Sequence, residues 1–324
     1  MLLIQTAFIG DTVFTSALAA SVRRRFPEGQ LDLCTAPRGA DVARAMPGVG
    51  HVHVYDKRRA DSGLSGLRRL ASRLRTRQYQ LAILPHRSPR TALLARLAGI
   101  PERVGFAGAP GSLFYTARVP SSATGFLAQE ADLARALGGE PGAMQLAPRP
   151  EWLAGAHAAL CEGKGDRFAA LCLGSEWETK VWPTEHTAQL ARYLHSRGLR
   201  PVLIGGPREK ELAKKLSGIG GAIDTTGNTI GEALAILSLS ALCVGGDTGL
   251  VHAARALGIP TVALFGPTSP LVHEFAPRQL PLSLHLACSP CSAHGQHACP
   301  LGHHRCLRDL EPSRVASACE ELLI

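Results

Sequence analysis

The chain has 324 residues, 45% hydrophobic and 19% charged, with 35 Lys and Arg against 26 Asp and Glu, a formal net charge of +9. This composition is globular and excludes a disordered, collagenous or disulfide-stapled miniprotein. No apolar run approaches the roughly 18 residues that span a bilayer. Met1 to Ala7 lack the basic segment of a signal peptide, so a cytoplasmic protein of about two domains is expected.

In chain order, Leu2–Gln5 reads as a buried strand and Asp11 to Phe26 as a helix stopped by Pro27. A strand at Leu31–Cys34, a helix near Ala40–Ala45 and a strand at His51–Tyr55 follow. An Arg-rich helix from about Ser62 to Arg77, a strand at Leu81–Leu84, a helix at Arg90–Ala98 and a strand at Val104–Phe106 continue the pattern. The stretch from Glu140 to Pro150 carries three prolines and reads as a linker. Alternation then restarts: strand Phe168–Leu173, helix Thr184–His195, strand Pro201–Ile204, then helices at Glu209–Leu216 and Gly231–Leu237. A strand at Leu242–Val244, a helix at Leu250–Leu257 and a strand at Thr261–Phe265 complete it. Strand–helix alternation predicts parallel sheets with crossover helices. The expectation is an α/β protein of two Rossmann-like domains, 1–150 and 151–324, with a cleft between them and ligands beyond the carboxyl ends of the strands.

The charge is local. Of the 35 basic residues 29 are Arg, and twelve lie between Lys57 and Arg103 against two acids, Asp61 and Glu102. Arg68, Arg69, Arg73, Arg75 and Arg77 share one predicted helix. The stretch is either a solvated face or a patch for an anionic partner such as a phosphorylated glycolipid, a membrane surface or nucleic acid. Aromatic residues are only 5% of the chain and no nucleic-acid recognition motif accompanies the patch, which argues against nucleic acid.

Four segments carry candidate chemistry. Phe8-Ile9-Gly10-Asp11-Thr12 follows the first strand. Gly10 allows a tight turn there, and Asp11 suits either a helix N-cap or a general base. Leu173 to Pro183 follows the first strand of the second half, with Ser175 placed to approach phosphate oxygens and Lys180 to neutralise a diphosphate. Val244 to His252 reads strand, glycine-rich turn and helix. Backbone N–H groups there form an anion site that Asp247 and Thr248 can cap. Last, Cys288, Cys291, Cys299 and Cys306 lie within 19 residues, interleaved with His294, His297, His303 and His304. In a reducing compartment this spacing fits a tetrahedral metal site, a reduced cysteine loop or disulfides formed on oxidation being the alternatives. Cys34, Cys161, Cys172, Cys243 and Cys319 are scattered and read as packing residues.

Taken together and in this order, Leu3 to Asp11, Gly246 to Ala254, Phe265 to Pro270 and Cys299 to Cys306 resemble the ADP-heptose:lipopolysaccharide heptosyltransferases. These are GT-B enzymes of glycosyltransferase family 9, and the likeness is nearest to the heptosyltransferase II branch. The resemblance spans nearly the whole chain. It departs at Ala17, where members often have Pro, and at Val181, where many carry a glycine or basic residue.

The resemblance implies an inverting transfer of heptose from ADP-heptose to the lipopolysaccharide inner core, Kdo-lipid A or a heptosylated core serving as acceptor. Asp11 would be the general base. Lys180 would hold the donor diphosphate, and Ser175, Glu209, Asp247, Thr248, Gly249 and His252 would complete the donor site. Arg58, Arg59 and Arg87, by charge and location, would meet acceptor phosphates or carboxylates. No catalytic cofactor is implied, and zinc or iron at the cysteine loop would be structural. The protein would be cytoplasmic and peripheral to the anionic inner membrane face. The rival readings are another GT-B nucleotide-sugar enzyme, such as a protein heptosyltransferase or an epimerase, and a metal-containing module binding nucleic acid or anionic surfaces.

Overall fold

The computed structural model describes residues 1–160 and 166–323. Two compact units divide it, Met1–Ala147 and Pro148–Ile324.

The first unit is one parallel sheet with helices. Its strands are β1 (Leu2–Gln5), β2 (Leu31–Thr35), β3 (Val49–Val54), β4 (Leu81–Leu84), β5 (Glu102–Phe106) and β6 (Ala117–Val119). They lie in the order β3-β2-β1-β4-β5-β6, the 3-2-1-4-5-6 order of a Rossmann sheet. Its helices are α1 (Ile9–Arg25), α2 (Ala40–Arg44), α3 (Gly63–Arg75), α4 (Pro89–Leu97) and α5 (Phe126–Ala136). Every residue of β1, β2 and β4 is buried, as expected of strands covered by helices on both faces. The Arg-rich helix α3 buries Leu67, Leu70, Ala71 and Leu74 at helical spacing and leaves its arginines outside. Residue 66 is glycine because a Cβ there would lie 2.2 Å from the Asp61 backbone.

The second unit repeats this plan. Its strands are β7 (Phe168–Cys172), β8 (Arg200–Ile204), β9 (Ile223–Asp224), β10 (Ser240–Gly246), β11 (Thr261–Leu264) and β12 (Gln279–Leu282). The order β12-β11-β10-β7-β8-β9 is the same sequence of crossovers as in the first sheet. Its helices are α6 (Pro150–Leu160), α7 (Thr184–Ser196), α8 (Lys210–Leu216), α9 (Ile230–Ser238), α10 (Gly249–Ala256), α11 (Arg305–Arg308) and α12 (Pro312–Leu323). Its core joins Leu171, Leu190, Leu203, Val244, Val262 and Leu307, all buried. Among the described residues no helix is long and apolar enough to cross a membrane.

The proline-rich stretch has no regular structure, yet it is bound to the first unit. Ser21 Oγ donates to Glu140 O, and the Gln145 N–H donates to Ser16 Oγ at 3.2 Å. The Ala147 N–H donates to Ala45 O at 2.8 Å. Gly142 lies so close to α1 that a Cβ would meet Ala17 O at 2.1 Å. Cys34, Cys172, Cys243 and Cys319 are buried, as packing cysteines are. Cys161 lies outside the described residues.

Candidate active site

The sequence-predicted residues lie at the carboxyl edges of the two sheets. In the first unit Asp11 follows β1, Arg58 and Arg59 follow β3, and Arg87 follows β4. The structure moves Asp11 from the N-cap position to the third helical residue, from which it still caps the helix. Phe8 takes the N-cap position, and the helix begins at Ile9. Gly10 is therefore helical and makes no tight turn. Asp11 sits in the first helical turn, and its Oδ2 accepts the Phe8 N–H at 3.1 Å. A carboxylate at this position is favoured by the helix dipole as well as by that bond. Beside it, Thr6 Oγ1 and His86 Nδ1 are 3.1 Å apart, and burial lowers the His86 pKa to about 4. Arg87 stacks over the Phe106 ring at 4.3 Å and reaches Gln129 Oε1 at 3.4 Å. The turn that carries Arg58 and Arg59 is shaped by Asp56, whose Oδ1 accepts both backbone N–H groups. Part of the basic stretch is engaged within the unit: Arg73 pairs with Asp61 at 3.1 Å, and Arg69 and Arg75 donate to the carbonyls of Ala60 and Leu97.

In the second unit Ser175 and Lys180 follow β7, Glu209 follows β8, and Asp247 follows β10. Strands β7 and β10 are neighbours and flank the point where strand order reverses, the position at which such sheets bind ligands. Lys180 Nζ donates to Asp247 Oδ2 at 2.7 Å and to its carbonyl at 3.0 Å. Two glycines permit this approach. A Cβ at Gly246 would lie 2.2 Å from Lys180 O, and one at Gly245 would lie 2.7 Å from the Cys172 Cβ.

Asp247 gathers further donors. Thr268 Oγ1 donates to Oδ2 at 2.7 Å, and His252 Nε2 lies 2.9 Å from Oδ1. Arg255 Nη1 is 3.0 Å from His252 Nδ1. A guanidinium only donates, so Nδ1 accepts and the ring proton is on Nε2, facing Asp247. His273 stacks on His252 at 4.7 Å, its Nε2 3.5 Å from Asp247 Oδ1. Burial alone would raise the Asp247 carboxyl, but the hydrogen bond with His252 and the charge of Lys180 hold it far below the usual carboxylate range. Burial keeps both histidines neutral, His252 lowered and His273 down to about 3. The arrangement is a fixed carboxylate that positions one lysine.

The expected capping of α10 is also corrected. Asp247 is committed to this network, and Thr248 stands at the N-cap position without making a cap bond. Its Oγ1 is buried with no hydrogen-bond partner. Gly249 is the first residue of α10, so its N–H belongs to the open helix start. Glu209 lies against bare backbone: a Cβ at Gly174 would be 2.3 Å from its Cδ, and Oε2 accepts the Gly206 N–H at 2.6 Å. Ser175 Oγ accepts the Trp177 N–H at 3.1 Å and so shapes the loop that leads to Lys180.

The cysteine-bearing segment after β12 is built against the same loops. Thr179 exchanges hydrogen bonds with both backbone groups of Gln296, His304 Nε2 is 2.7 Å from Thr179 O, and the N–H groups of Cys291 and Ser292 donate to Pro267 O. His297 is taken by Glu178 at 2.6 Å, and His303 Nδ1 accepts the Arg305 N–H. The Cys306 thiol stands within electrostatic range of those of Cys291, Cys299 and Cys288, which with burial push it up. The N–H groups of His304, Leu301, His303 and Gly302 turn onto Cys299 and lower its thiol pKa. Among the described residues, one group of three metal-ligating side chains has all its ligand atoms within 4.8 Å of one another, and it is Asp247, His252 and His273. The cysteines do not form a group that tight.

Sequence comparison accounts for this arrangement. The model of glycosyltransferase family 9 (heptosyltransferase) matches residues 67–301. The chain belongs to glycosyltransferase family 9. As a family 9 member it is similar to lipopolysaccharide heptosyltransferase 2 of Escherichia coli K12, with 27% identity over 354 aligned residues covering 100% of this chain and 98% of the relative. Two solved structures share the fold. E. coli ADP-heptose lps heptosyltransferase II matches with a TM-score of 0.80 and 23% identity over 99% of this chain and 98% of that one. A family 9 glycosyl transferase from Veillonella parvula matches with a TM-score of 0.87 and 21% identity over 99% and 96%.

Two members of the Asp247 network escape sequence reasoning, His273 and Arg255; Thr268 lies in the Phe265–Pro270 segment that the sequence already singles out. His273 and Arg255 left no signal, because a lone His beyond Pro270 and an Arg inside α10 read as surface residues.

Proposed function

We propose that this family 9 glycosyltransferase moves a heptose from ADP-heptose to the inner core of lipopolysaccharide, with inversion at the anomeric carbon. The observation that carries the reading is the buried Lys180–Asp247 pair at the strand-order switch of the second sheet. It presents a positioned cation where a diphosphate would lie.

In this reading unit Pro148–Ile324 holds the donor. Lys180 and the N–H groups at the start of α10 face the diphosphate, Ser175 and Thr248 offer hydroxyls, and Glu209 takes the nucleoside end. Unit Met1–Ala147 holds the acceptor, with Arg58, Arg59 and Arg87 on its phosphates or carboxylates. Asp11 takes the proton of the attacking hydroxyl. The new bond forms from that oxygen to the anomeric carbon as the bond from that carbon to the ADP phosphate oxygen breaks. Negative charge then grows on the departing ADP, where Lys180 stabilises it most. The exposed arginines of α3 suit peripheral contact with the anionic inner membrane face.

No catalytic metal enters this scheme. Cys288, Cys291, Cys299 and Cys306 are read as holders of one structural thiophilic ion, zinc or iron. Four thiols are the donor type such an ion takes, and His297, His303 and His304 are engaged elsewhere; binding would draw the cysteines closer together than they now lie.

The test is a donor-by-acceptor panel with purified protein. ADP-heptose and Kdo-lipid A or a heptosylated core are expected to give transfer, with the anomeric configuration of the product read by NMR. Transfer to a protein acceptor alone would overturn the acceptor assignment, and a retained configuration would overturn inversion.

A further inference from the structure

Behind Asp11 lies a buried acid that the scheme above leaves unused. Glu130 is on α5, which packs along α1 with Phe14 and Phe126 stacked at 4.9 Å. Its residue is 7% exposed. Glu130 Oε1 is 2.9 Å from Thr15 Oγ1, and Oε2 is buried with no hydrogen-bond partner.

The hydrogen bonds around Thr15 bear on which atom carries the proton. Thr15 Oγ1 is 2.9 Å from the carbonyl of Asp11 and accepts Gln5 Nε2 at 3.1 Å. A hydroxyl has one proton to give and two lone pairs to offer. If that proton goes to the Asp11 carbonyl, a carboxylate at Glu130 would face the lone pairs of Thr15. If it goes to Glu130, the Asp11 carbonyl loses its side-chain partner. A neutral Glu130 that donates to Thr15 satisfies every contact at once: Glu130 and Gln5 donate, Thr15 accepts both, and Thr15 donates to Asp11. Gln5 extends the net, because its Oε1 accepts the Ala7 N–H at 3.2 Å on the approach to Asp11.

We propose that Glu130, as a neutral carboxylic acid, is a positioning residue for Asp11, acting through Thr15 on the first turn of α1. The inference rests on the reading of Asp11 as the general base. Burial of the carboxyl and the Asp11 carboxylate both favour the neutral form against the Thr15 hydroxyl, and the group is pushed up to about 8. The charged side chains of β5 and β6, which also pack on α5, are Glu102, Arg103 and Arg118. They are not among these influences. Ionisation of Glu130 would remove its donor, set a second negative charge near Asp11 and loosen the turn that aims it. Activity therefore falls on the alkaline side as Glu130 loses its proton.

Two measurements test this on the full chain. In the first, protein labelled with 13C at glutamate carboxyls is titrated by NMR without substrates, the Glu130 signal being identified by its loss in Glu130→Gln. A carboxyl still protonated at neutral pH is expected, and one ionised already in the ordinary glutamate range overturns the proposal. In the second, kcat and donor KM are followed against pH for wild type, Glu130→Gln and Glu130→Leu. The glutamine amide still donates to Thr15, so that variant keeps its neutral-pH kcat and loses the alkaline fall. The leucine variant loses roughly ten- to a hundredfold in kcat with donor KM unchanged. A glutamine variant as impaired as the leucine variant, or one with the wild-type pH profile, overturns the proposal. If wild type transfers nothing from ADP-heptose at any pH, the functional reading fails, while the NMR titration still decides the state of Glu130.

Discussion

Lys180 and Asp247 meet at 2.7 Å between the loops that follow two adjacent parallel strands, both side chains nearly buried. Each holds the other in a place where an unpaired charge is costly. Asp247→Ala therefore strands the lysine, and a loss of about 3–5 kcal/mol in unfolding free energy is expected. ADP affinity falls with it. Urea melts and calorimetric titration with ADP measure both, and an unchanged melt would show that the pair contributes nothing to the fold.

The approach of the Lys180 loop to β10 depends on a missing side chain. Gly246→Ala would set a Cβ 2.2 Å from the Lys180 carbonyl oxygen, a backbone atom with little room to yield. A destabilisation of about 1–3 kcal/mol is expected, together with weaker ADP binding. Normal ADP binding by this variant would mean that the loop tolerates displacement.

Asp11→Asn keeps the shape of the first turn of α1 and removes the carboxylate proposed as the base. A fall of roughly 10²- to 10⁴-fold in kcat is expected, with ADP affinity at the wild-type level. Near-normal turnover would remove Asp11 from the chemistry.

The pH dependence of stability should carry opposing contributions from the two units. His273 titrates at about 3 in the fold against 6.5 ordinarily. The unfolded chain takes up that proton first, so stability drops as pH falls from 6.5. Asp247 is lowered from 3.8, and its contribution is lost as pH falls below that value. Glu130 runs the other way. Raised from 4.5 to about 8, it keeps a proton the unfolded chain would release, and stability fades as pH climbs between those values. Urea midpoints from about pH 4 to about pH 9 should show a flatter acid limb in His273→Gln and a flatter alkaline limb in Glu130→Gln. Parallel curves in all three proteins would refute the assignment.

For the cysteine segment, metal analysis of protein purified under reducing conditions should find one zinc or iron ion per chain. Cys299→Ser should lose it and His252→Ala should keep it. Loss on His252→Ala instead would place the ion at the Asp247 group.

Much of the fold was legible because apolar strands such as Leu81–Leu84 and their helices announce themselves by periodicity. The donor-side loops were legible because Gly245 and Gly246 stand between a strand and a helix. Seven elements, β6, β9, β12, α5, α6, α11 and α12, fell outside that reading; the strands and α11 are short, whereas α5, α6 and α12 run eleven or twelve residues. Asp11 was found as a cap but placed at the wrong position, since sequence does not tell an N-cap carboxylate from one a turn inside that reaches back. Glu130 left a trace: it shares a face of α5 with the buried Leu133 and Ala134, and a lone acid on an apolar stripe is a signal. His273 joins its site only through tertiary packing, which no local pattern records.

Both sheets follow the same strand order, and each carries its site residues on the edge where the strands end. The consequence is evolutionary. On the proposed assignment, changes in the loops that follow β3 and β4 would alter the choice of acceptor, while the hydrogen bonds of the Asp247 network are made wholly within the second unit. New glycan linkages would then arise by editing one half of the gene while the other is inherited intact.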